Sequence, residues 1–259
     1  MKAMLNAVWV AAMASTVTIS GALAQDRLQT ILARGKILVG TGSTNPPWHF
    51  KDDSGTLVGY DVDMGHLLAK AIFDDPEKVE YVIQGSDARI PNVLTDKVDI
   101  TCQFMTVTAG RAQQVNFTIP YYREGVGLLL TKSGKYKSYA EEMVHKALPE
   151  AKVDQYESVD LMYQALNSGR ADAAATDMSS TKWFVAQNPD QYVSGGYGWD
   201  AQTYSCAVKK GDPDFLHFVD IVFREAMTGV DFATYAASFK KWFGEEPPAP
   251  QVGFPGELR

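Results

Sequence analysis

The stretch NPPWHFKDDSGTLVGYDVDM, Asn45 to Met64, joins the apolar segment ILVGT, which has the pattern of a buried strand, to a predicted amphipathic helix. The helix is predicted from apolar residues at helical spacing, which are Val62, Leu67, Leu68, Ala71 and Ile72. Pro46 and Pro47 are incompatible with a helix and stiffen the loop that leaves the strand. Trp48 is therefore expected to have a defined position at the carboxyl end of this strand.

The same alternation continues on both sides of this stretch. LQTILARGK upstream and SDARIPNVLTDK downstream read as helices, while KVEYVIQ and VDITCQF read as strands. Such alternation predicts a parallel sheet covered by helices, in which ligands bind beyond the carboxyl ends of the strands. Trp48 is then interpreted as a rigid platform for a ligand. The alternative is that its ring packs over the protein's own core.

A second polar cluster follows the strand VDITCQF, in the segment FMTVTAGRAQQVNF. Thr106 and Thr108 offer hydroxyl groups where a short helix is predicted to begin, and Arg111 lies one helical turn further on. A helix start, a hydroxyl group and a guanidinium group together suit a carboxylate, because arginine binds carboxylates through two parallel charge-assisted hydrogen bonds. The alternative is that Thr108 only caps the helix and that Arg111 is solvated.

A further strand, EGVGLLLTK, leads into a second region with its own helix and strand pattern. There ADAAATD reads as a strand that ends at Asp177, and MSSTKWFVAQ reads as the helix that follows. The carboxylate of Asp177 could meet an amino group of a ligand, or could cap that helix; the two roles are compatible.

Residues 1–24 have the pattern of a secretory signal peptide. Met1 and Lys2 precede an apolar run, and Ala22, Leu23 and Ala24 form a site of the small-x-small type. Polar residues interrupt the run well before the roughly 20 apolar residues that a membrane-spanning helix needs. We expect export, with cleavage near Ala24.

The composition limits the classes of binding partner that are expected. A formal net charge of −7 without a basic run argues against nucleic acid and anionic membrane surfaces as partners. The two cysteines, Cys102 and Cys206, lie in strand-like contexts, and a disulfide and two buried thiols remain equally plausible. The four histidines show no repeated ligand spacing, so neither a metal nor a cofactor is expected.

The order of these motifs resembles the periplasmic amino-acid-binding proteins of ABC importers, solute-binding protein family 3. The resemblance covers nearly the whole chain after residue 24 and rests on NPPWHF, DSGTLVGYDVDM, DARIPNVLTDKVDI, MTVTAGRAQQVNFTIPYY, ALNSGRADAAATD and YSCAVKKGD. It implies the type II periplasmic-binding-protein fold, with two α/β lobes, each a mainly parallel sheet flanked by helices. Residues 25–125 and 205–259 would form lobe 1, and residues 126–204 would form lobe 2.

The resemblance also implies roles for individual residues. Arg111 and the hydroxyl group of Thr106 would hold the carboxylate of an amino acid, while a backbone carbonyl near Phe104 and the side chain of Asp177 would take its amino group. An aromatic residue at Trp48 would wall the pocket. The family's strand order also slightly favours the disulfide over two free thiols.

Arg89, in the segment DARIPNV, is the residue from which we infer the ligand's side chain. A positive charge at a helix start is mildly unfavourable against the helix dipole, which argues against a purely solvated arginine. Relatives with R-I-P at this point resemble binders of acidic or other polar amino acids. The resemblance thus implies a polar amino acid as the ligand, with an acidic amino acid as the narrower candidate.

One departure from the family pattern concerns the start of lobe 2. KSGKYKSYA runs directly into EEMVHKALPEAKV, and the first strand of the lobe has no counterpart, so lobe 2 is expected to be shortened. Tyr139 and Glu141 would partly replace the lost turn. An unpaired internal backbone group costs ~1 to 3 kcal/mol, which would weaken closure on the ligand.

The expected protein is a monomeric periplasmic receptor that delivers its amino acid to an ABC permease in the inner membrane, and not an enzyme. Two alternatives remain open. One is an exported enzyme resembling cyclohexadienyl dehydratases, with Glu124 or Asp177 as general acid. The other is a ligand sensor for a membrane kinase.

Overall fold

The computed structural model describes residues 26–132, 152, 154–156 and 158–250. Its helices are α1 (Arg27–Arg34), α2 (Tyr60–Phe73), α3 (Arg89–Leu94), α4 (Ala109–Ala112), α5 (Val159–Asn167), α6 (Met178–Gln187), α7 (Pro213–Thr228) and α8 (Phe232–Phe243), and a 3₁₀ turn spans Ser86–Ala88. Its strands are β1 (Ile37–Thr41), β2 (Thr44–Asn45), β3 (His49–Lys51), β4 (Leu57–Val58), β5 (Val79–Ile83), β6 (Ile100–Thr106), β7 (Val115–Phe117), β8 (Tyr122–Thr131), β9 (Ala174–Asp177) and β10 (Tyr192–Lys209).

One mixed sheet connects the described parts of the chain, in the order β5-β1-β6-β10-β8-β9, with β7 paired to β10. Strands β5, β1 and β6 are parallel, as the alternation of strands and helices predicts. Strand β10 then pairs antiparallel with β6, β7 and β8. The carboxyl ends of β1 and β6 therefore lie side by side, at the edge where the polar motifs are found.

The stretch from Asn45 to Met64 forms a small antiparallel sheet, β2-β3-β4, before it enters α2. Gly59 lies at the start of α2 with a φ of 133°, a value that side chains rarely allow. A Cβ atom at Gly59 would lie 2.3 Å from the backbone oxygen of Trp48. Glycine at this position therefore lets the start of α2 pack directly against the proline-rich loop.

The largest hydrophobic core lies between the sheet and helices α1, α2, α7 and α8. Its members include Ile37 and Val39 of β1, Leu68 of α2, and Phe223 of α7, all essentially inaccessible to solvent. A smaller cluster around Leu129 packs α5 against β8 and β9. Among the described helices, none is long and apolar enough to cross a membrane.

Cys102 of β6 and Cys206 of β10 form a disulfide that joins two neighbouring strands across a sequence separation of 104 residues. Both residues are fully buried within the largest core cluster. The backbone of Cys206 also exchanges hydrogen bonds with Thr118, which holds the chain on the other side of the same strand. The sequence left open whether the two cysteines form a disulfide or remain as buried thiols, and the structure contains the disulfide.

The described strands of the second predicted lobe are antiparallel, whereas a mainly parallel sheet was expected. Among the described residues of this part, β8 pairs antiparallel with both β9 and β10. Both predicted lobe boundaries fall inside the long paired strands β8 and β10, and the division into lobes remains a prediction. The segment where a strand is expected to be missing, with Tyr139 and Glu141, lies outside the described residues.

Candidate functional site

Trp48 packs against Phe104 of β6, and its side chain is fully buried. Its ring is surrounded by the rings of Tyr60, Phe104, Tyr121, Tyr122, Tyr204 and Phe243, with centroid distances from 4.9 to 6.4 Å. In this conformation Trp48 is thus packed in the core, which was the alternative to an exposed ligand platform. The proline-rich loop turns the indole inwards.

The loop that carries Trp48 is hydrogen-bonded to the start of α6. Trp48 Nε1 donates to Ser179 Oγ over 2.9 Å, and Ser180 Oγ donates to the backbone oxygen of Pro46 over 2.9 Å. Both serines are buried, as is Thr181 next to them. These contacts bring a residue of predicted lobe 1 and a helix of predicted lobe 2 into direct contact.

Arg89 begins α3 and is only 5% exposed, so it is not the solvated arginine that a helix start would otherwise favour. One terminal nitrogen donates to Ser86 Oγ over 3.0 Å, and the guanidinium carbon lies 5.2 Å from the centroid of the Phe104 ring. Nε has no hydrogen-bond partner among the described residues. Burial, reinforced by the charge of Arg111, lowers the pKa of Arg89 to about 10.

Phe104 adopts a φ of 33°, which is unusual for a residue with a side chain. Its ring stacks on the imidazole of His49, with centroids 5.0 Å apart and planes 22° apart. The ring of Phe104 therefore contacts Trp48, His49 and the guanidinium group of Arg89. A strained backbone at a residue that touches so many candidate groups is typical of functional sites.

Arg111 and Thr106 lie together at the end of β6, as the motif predicts. Arg111 Nη1 donates to the backbone oxygen of Thr106 over 2.8 Å, and Thr106 Oγ1 donates to Gln202 Oε1 over 2.7 Å. Thr108 is the N-cap of α4 and accepts a hydrogen bond from the backbone nitrogen of Arg111. The capping role considered for Thr108 is thus observed, while Arg111 is only partly buried.

Asp177 ends β9 and directly precedes α6. It occupies the N-cap position, but its side chain makes no capping hydrogen bond. Its carboxylate accepts a hydrogen bond from the hydroxyl group of Tyr204 on β10. Burial raises the pKa of Asp177, while the bond from Tyr204 and the positive charge of Arg89 oppose this rise. Arg89 and Asp177 are thus close enough to influence each other electrostatically.

Glu124 on β8 lies beside Asp177. From the sequence, Glu124 is a candidate only as the general acid of a dehydratase-like enzyme. Its carboxyl group accepts hydrogen bonds from the backbone nitrogen of Ser179 over 2.6 Å and from Ser179 Oγ over 2.8 Å. Burial and the nearby charge of Asp177 raise the pKa of Glu124 to about 8. Its contact with Ser179 spans 55 residues and has no local sequence signal.

His49 and Asp61 form a second buried pair that the sequence does not reveal. His49 Nδ1 and Asp61 Oδ2 lie 2.8 Å apart, and the hydroxyl group of Tyr121 donates to Asp61 Oδ1 over 2.6 Å. Burial lowers the pKa of His49, against the opposing effect of Asp61. The only available signal is the order of WHF and YDVDM, which places His49 at the start of β3 and Asp61 in the first turn of α2.

The chain belongs to a known family. Residues 37–245 match the profile of the bacterial extracellular solute-binding proteins, family 3. This match covers most of the chain and agrees with the resemblance inferred from the motifs. The protein is therefore a family 3 extracellular solute-binding protein with the type II periplasmic-binding-protein fold.

Several relatives are amino-acid-binding proteins of ABC transporters. The glutamine-binding protein GlnH of Bacillus subtilis is 27% identical over 240 residues, which cover 86% of this chain and 86% of that protein. The L-glutamate/L-aspartate-binding protein of Pseudomonas aeruginosa is 28% identical over 257 residues, which cover 87% of this chain and 82% of that protein.

A solved structure with similar coverage is that of the ancestral amino-acid-binding protein AncCDT-1, described as a precursor of cyclohexadienyl dehydratase. It is 30% identical, has a TM-score of 0.71, and the match covers 83% of this chain and 99% of that chain. The relatives are binding proteins for different amino acids, while this structure also connects the fold to an enzyme.

Proposed function

We propose that this protein is the periplasmic receptor of an ABC-type importer and that it binds a polar, acidic amino acid between two lobes. The signal-peptide pattern of residues 1–24 supports export, and GlnH of Bacillus subtilis is named as the glutamine-binding protein of an ABC transporter. A permease in the inner membrane would then be the partner that accepts the amino acid, with the receptor acting as a monomer.

The observation that carries this proposal is the environment of Arg89. A buried guanidinium group is costly unless its donors are satisfied, and Nε of Arg89 has no partner among the described residues. A ligand carboxylate would both satisfy that donor and supply a counter-charge. Glutamate or aspartate brings such a group in its side chain, in addition to its α-carboxylate.

The remaining candidate residues suit the two charges that all amino acids share. Arg111 and Thr106 would bind the α-carboxylate, with the Phe104 carbonyl and Asp177 binding the amino group. In the structure, Thr106 and Asp177 are hydrogen-bonded to Gln202 and Tyr204 of β10. The amino acid would replace these internal bonds and favour the closed form through its extra contacts there.

A thermal-shift screen of the twenty amino acids tests this proposal. A ligand raises apparent stability by RT ln(1 + [L]/Kd), so binding at micromolar Kd gives a measurable shift at millimolar concentration. We expect the largest shifts from L-glutamate and L-aspartate. A largest shift from an apolar amino acid would exclude the proposed role of Arg89, and no shift from any of the twenty would exclude the receptor itself.

An enzyme remains the second candidate because of Glu124. With a pKa raised to about 8, its carboxyl group is largely protonated at neutral pH, as a general acid requires. AncCDT-1, which is named as a precursor of cyclohexadienyl dehydratase, has a similar fold and therefore suggests which enzyme to test for. Incubation of pure protein with prephenate or arogenate tests this candidate: loss of either compound would favour the enzyme, and full recovery of both would exclude it.

A further inference from the structure

A chain of hydrogen bonds links Trp48, Ser179 and Glu124 in the described structure. Trp48 Nε1 donates to Ser179 Oγ over 2.9 Å, and Ser179 Oγ donates to Glu124 Oε1 over 2.8 Å. The indole can only donate, so Ser179 Oγ accepts from Trp48, and towards the ionised form of Glu124, which can only accept, Ser179 Oγ is the donor. The backbone nitrogen of Ser179 donates to the other oxygen of Glu124 over 2.6 Å.

Because of these bonds, Glu124 rather than Asp177 caps α6. Asp177 occupies the N-cap position, where an aspartate normally accepts a hydrogen bond from the first turn of the helix. Here it makes no such bond, and the backbone donor of Ser179 is satisfied by Glu124 from the neighbouring strand. The carboxylate of Asp177 is thereby left to accept from Tyr204.

The same bonds tie the two sides of the candidate site together. Ser179 is the second residue of α6 and is 4% exposed, so it has little freedom to satisfy its hydroxyl group elsewhere. Its bond to Trp48 connects α6 to the proline-rich loop, and the adjacent bond from Ser180 to Pro46 has the same effect. The position of Asp177 relative to Trp48 therefore depends on Ser179.

We propose that Glu124 and Ser179 are positioning residues of the amino-acid site. Glu124 caps α6 in place of Asp177 and keeps the Asp177 carboxylate available for the ligand's amino group, while Ser179 aligns α6 with Trp48. This inference rests on the proposed function of the protein as an amino-acid receptor.

The position of Glu124 also makes the hydrogen-bond chain sensitive to protonation. The titratable and charged groups that face Glu124 are Asp177 on β9, Lys182 on α6, Tyr204 on β10 and Tyr122 on its own strand. Lys182 also pairs with Glu245 and is largely exposed, so it offsets the other effects only weakly. With its pKa raised to about 8, Glu124 changes charge just above neutral pH, and the bonds that it accepts change with it.

The first test needs no ligand. The indole N–H resonance of Trp48, assigned by its loss in Trp48→Phe, is followed by NMR from pH 6 to 9.5. We expect it to titrate with a midpoint near 8 in the wild-type protein and to be constant in Glu124→Gln. Ser179→Ala should shift the resonance strongly, whereas Ser180→Ala, a change of the adjacent buried serine, should leave the titration in place. A titration that persists in Glu124→Gln, or a resonance that is constant in the wild type, would overturn the proposal.

The second test measures the consequence for binding. Glu124→Ala has no side-chain acceptor for Ser179, so Asp177 should return to cap α6. The affinity for L-glutamate should then fall by about tenfold, the effect of one lost hydrogen bond, while that for glutarate, which lacks the amino group, should change much less. Ser179→Thr, which keeps a hydroxyl group, should bind more tightly than Ser179→Ala. Equal losses for both ligands, or no loss, would contradict the positioning role.

The two tests separate this inference from the proposed function. If the wild-type protein binds neither compound while the resonance of Trp48 titrates with Glu124, the receptor proposal fails and the hydrogen-bond chain remains established. If the wild type binds L-glutamate while the resonance is unaffected by Glu124, the receptor proposal holds and the positioning role is wrong.

Discussion

The environment of Arg89 is the main basis for inferring the charge of the ligand's side chain. Its guanidinium group is buried beside Phe104 and Ser86, and it lies within electrostatic reach of both Asp177 and Arg111. Neither burial nor these partners could be predicted from DARIPNV, which only places a positive charge at a helix start. The role proposed for Arg89 can be tested by substitution.

Replacing Arg89 by glutamine should reduce the affinity for L-glutamate by about 10- to 100-fold, because a charge-assisted hydrogen bond contributes ~1.5 to 3 kcal/mol. Affinity for L-glutamine should change less, since its side chain has no charge to pair. Calorimetry measures both values. Arg123→Gln, at an exposed arginine on β8, is the matched control. An equal loss for the two amino acids would show that Arg89 does not read the ligand's side chain.

Asp177→Asn should weaken the binding of L-glutamate far more than that of glutarate, because only L-glutamate has an amino group for this carboxylate to bind. The measurement is again calorimetry with both compounds. Asp190→Asn, at an exposed aspartate just after α6, is the control for the loss of one negative charge. Similar affinities of wild type and variant for L-glutamate would remove Asp177 from the site.

The proline-rich loop and the start of α2 form the element on which the site depends. Gly59→Ala should destabilise the protein by more than Gly55→Ala, because both glycines have positive φ but only Gly59 lacks room for a Cβ atom. We expect a difference of about 1–3 kcal/mol in the free energy of unfolding, measured in urea. Equal effects of the two substitutions would show that the close approach to Trp48 does not constrain the loop.

The disulfide stabilises the central strands β6 and β10. Because it closes a loop of about 100 residues, its removal in Cys102→Ala/Cys206→Ala should lower the free energy of unfolding by about 2–5 kcal/mol. A reductant should lower the stability of the wild type by a similar amount and leave that of the double variant unchanged. A reductant effect on the double variant would point to another cause.

Sequence reasoning predicted the local elements well, for physical reasons that particular residues illustrate. The strand patterns of ILVGT and KVEYVIQ depend on the residues of each segment alone, and both segments form the predicted parallel strands. Contacts between segments that are far apart in the sequence leave no comparable pattern in either segment. The bond from Trp48 to Ser179 spans 131 residues, and the direction of β9 depends on its pairing with β8. The family resemblance supplied the overall fold that periodicity could not.

The buried Glu124 makes the stability of the folded protein depend on pH. Its pKa is raised from 4.5 to about 8 in the folded protein, so the folded state binds the proton more tightly than the unfolded state. The associated stability is fully present below pH 4.5 and falls as the pH rises to 8, by up to ~1.4 kcal/mol per pH unit. Urea unfolding between pH 4.5 and 9 should show this loss relative to Glu124→Gln. Parallel pH profiles of the two proteins would contradict it.

One amino acid is proposed to bridge charged groups on the two sides of the site. A crystal structure with L-glutamate bound tests it most directly. We expect the α-carboxylate on Arg111, the side-chain carboxylate on Arg89, and the amino group on Asp177 in place of the Tyr204 hydroxyl group. A glutamate bound elsewhere, with the bonds of Asp177 to Tyr204 and of Thr106 to Gln202 retained, would contradict it.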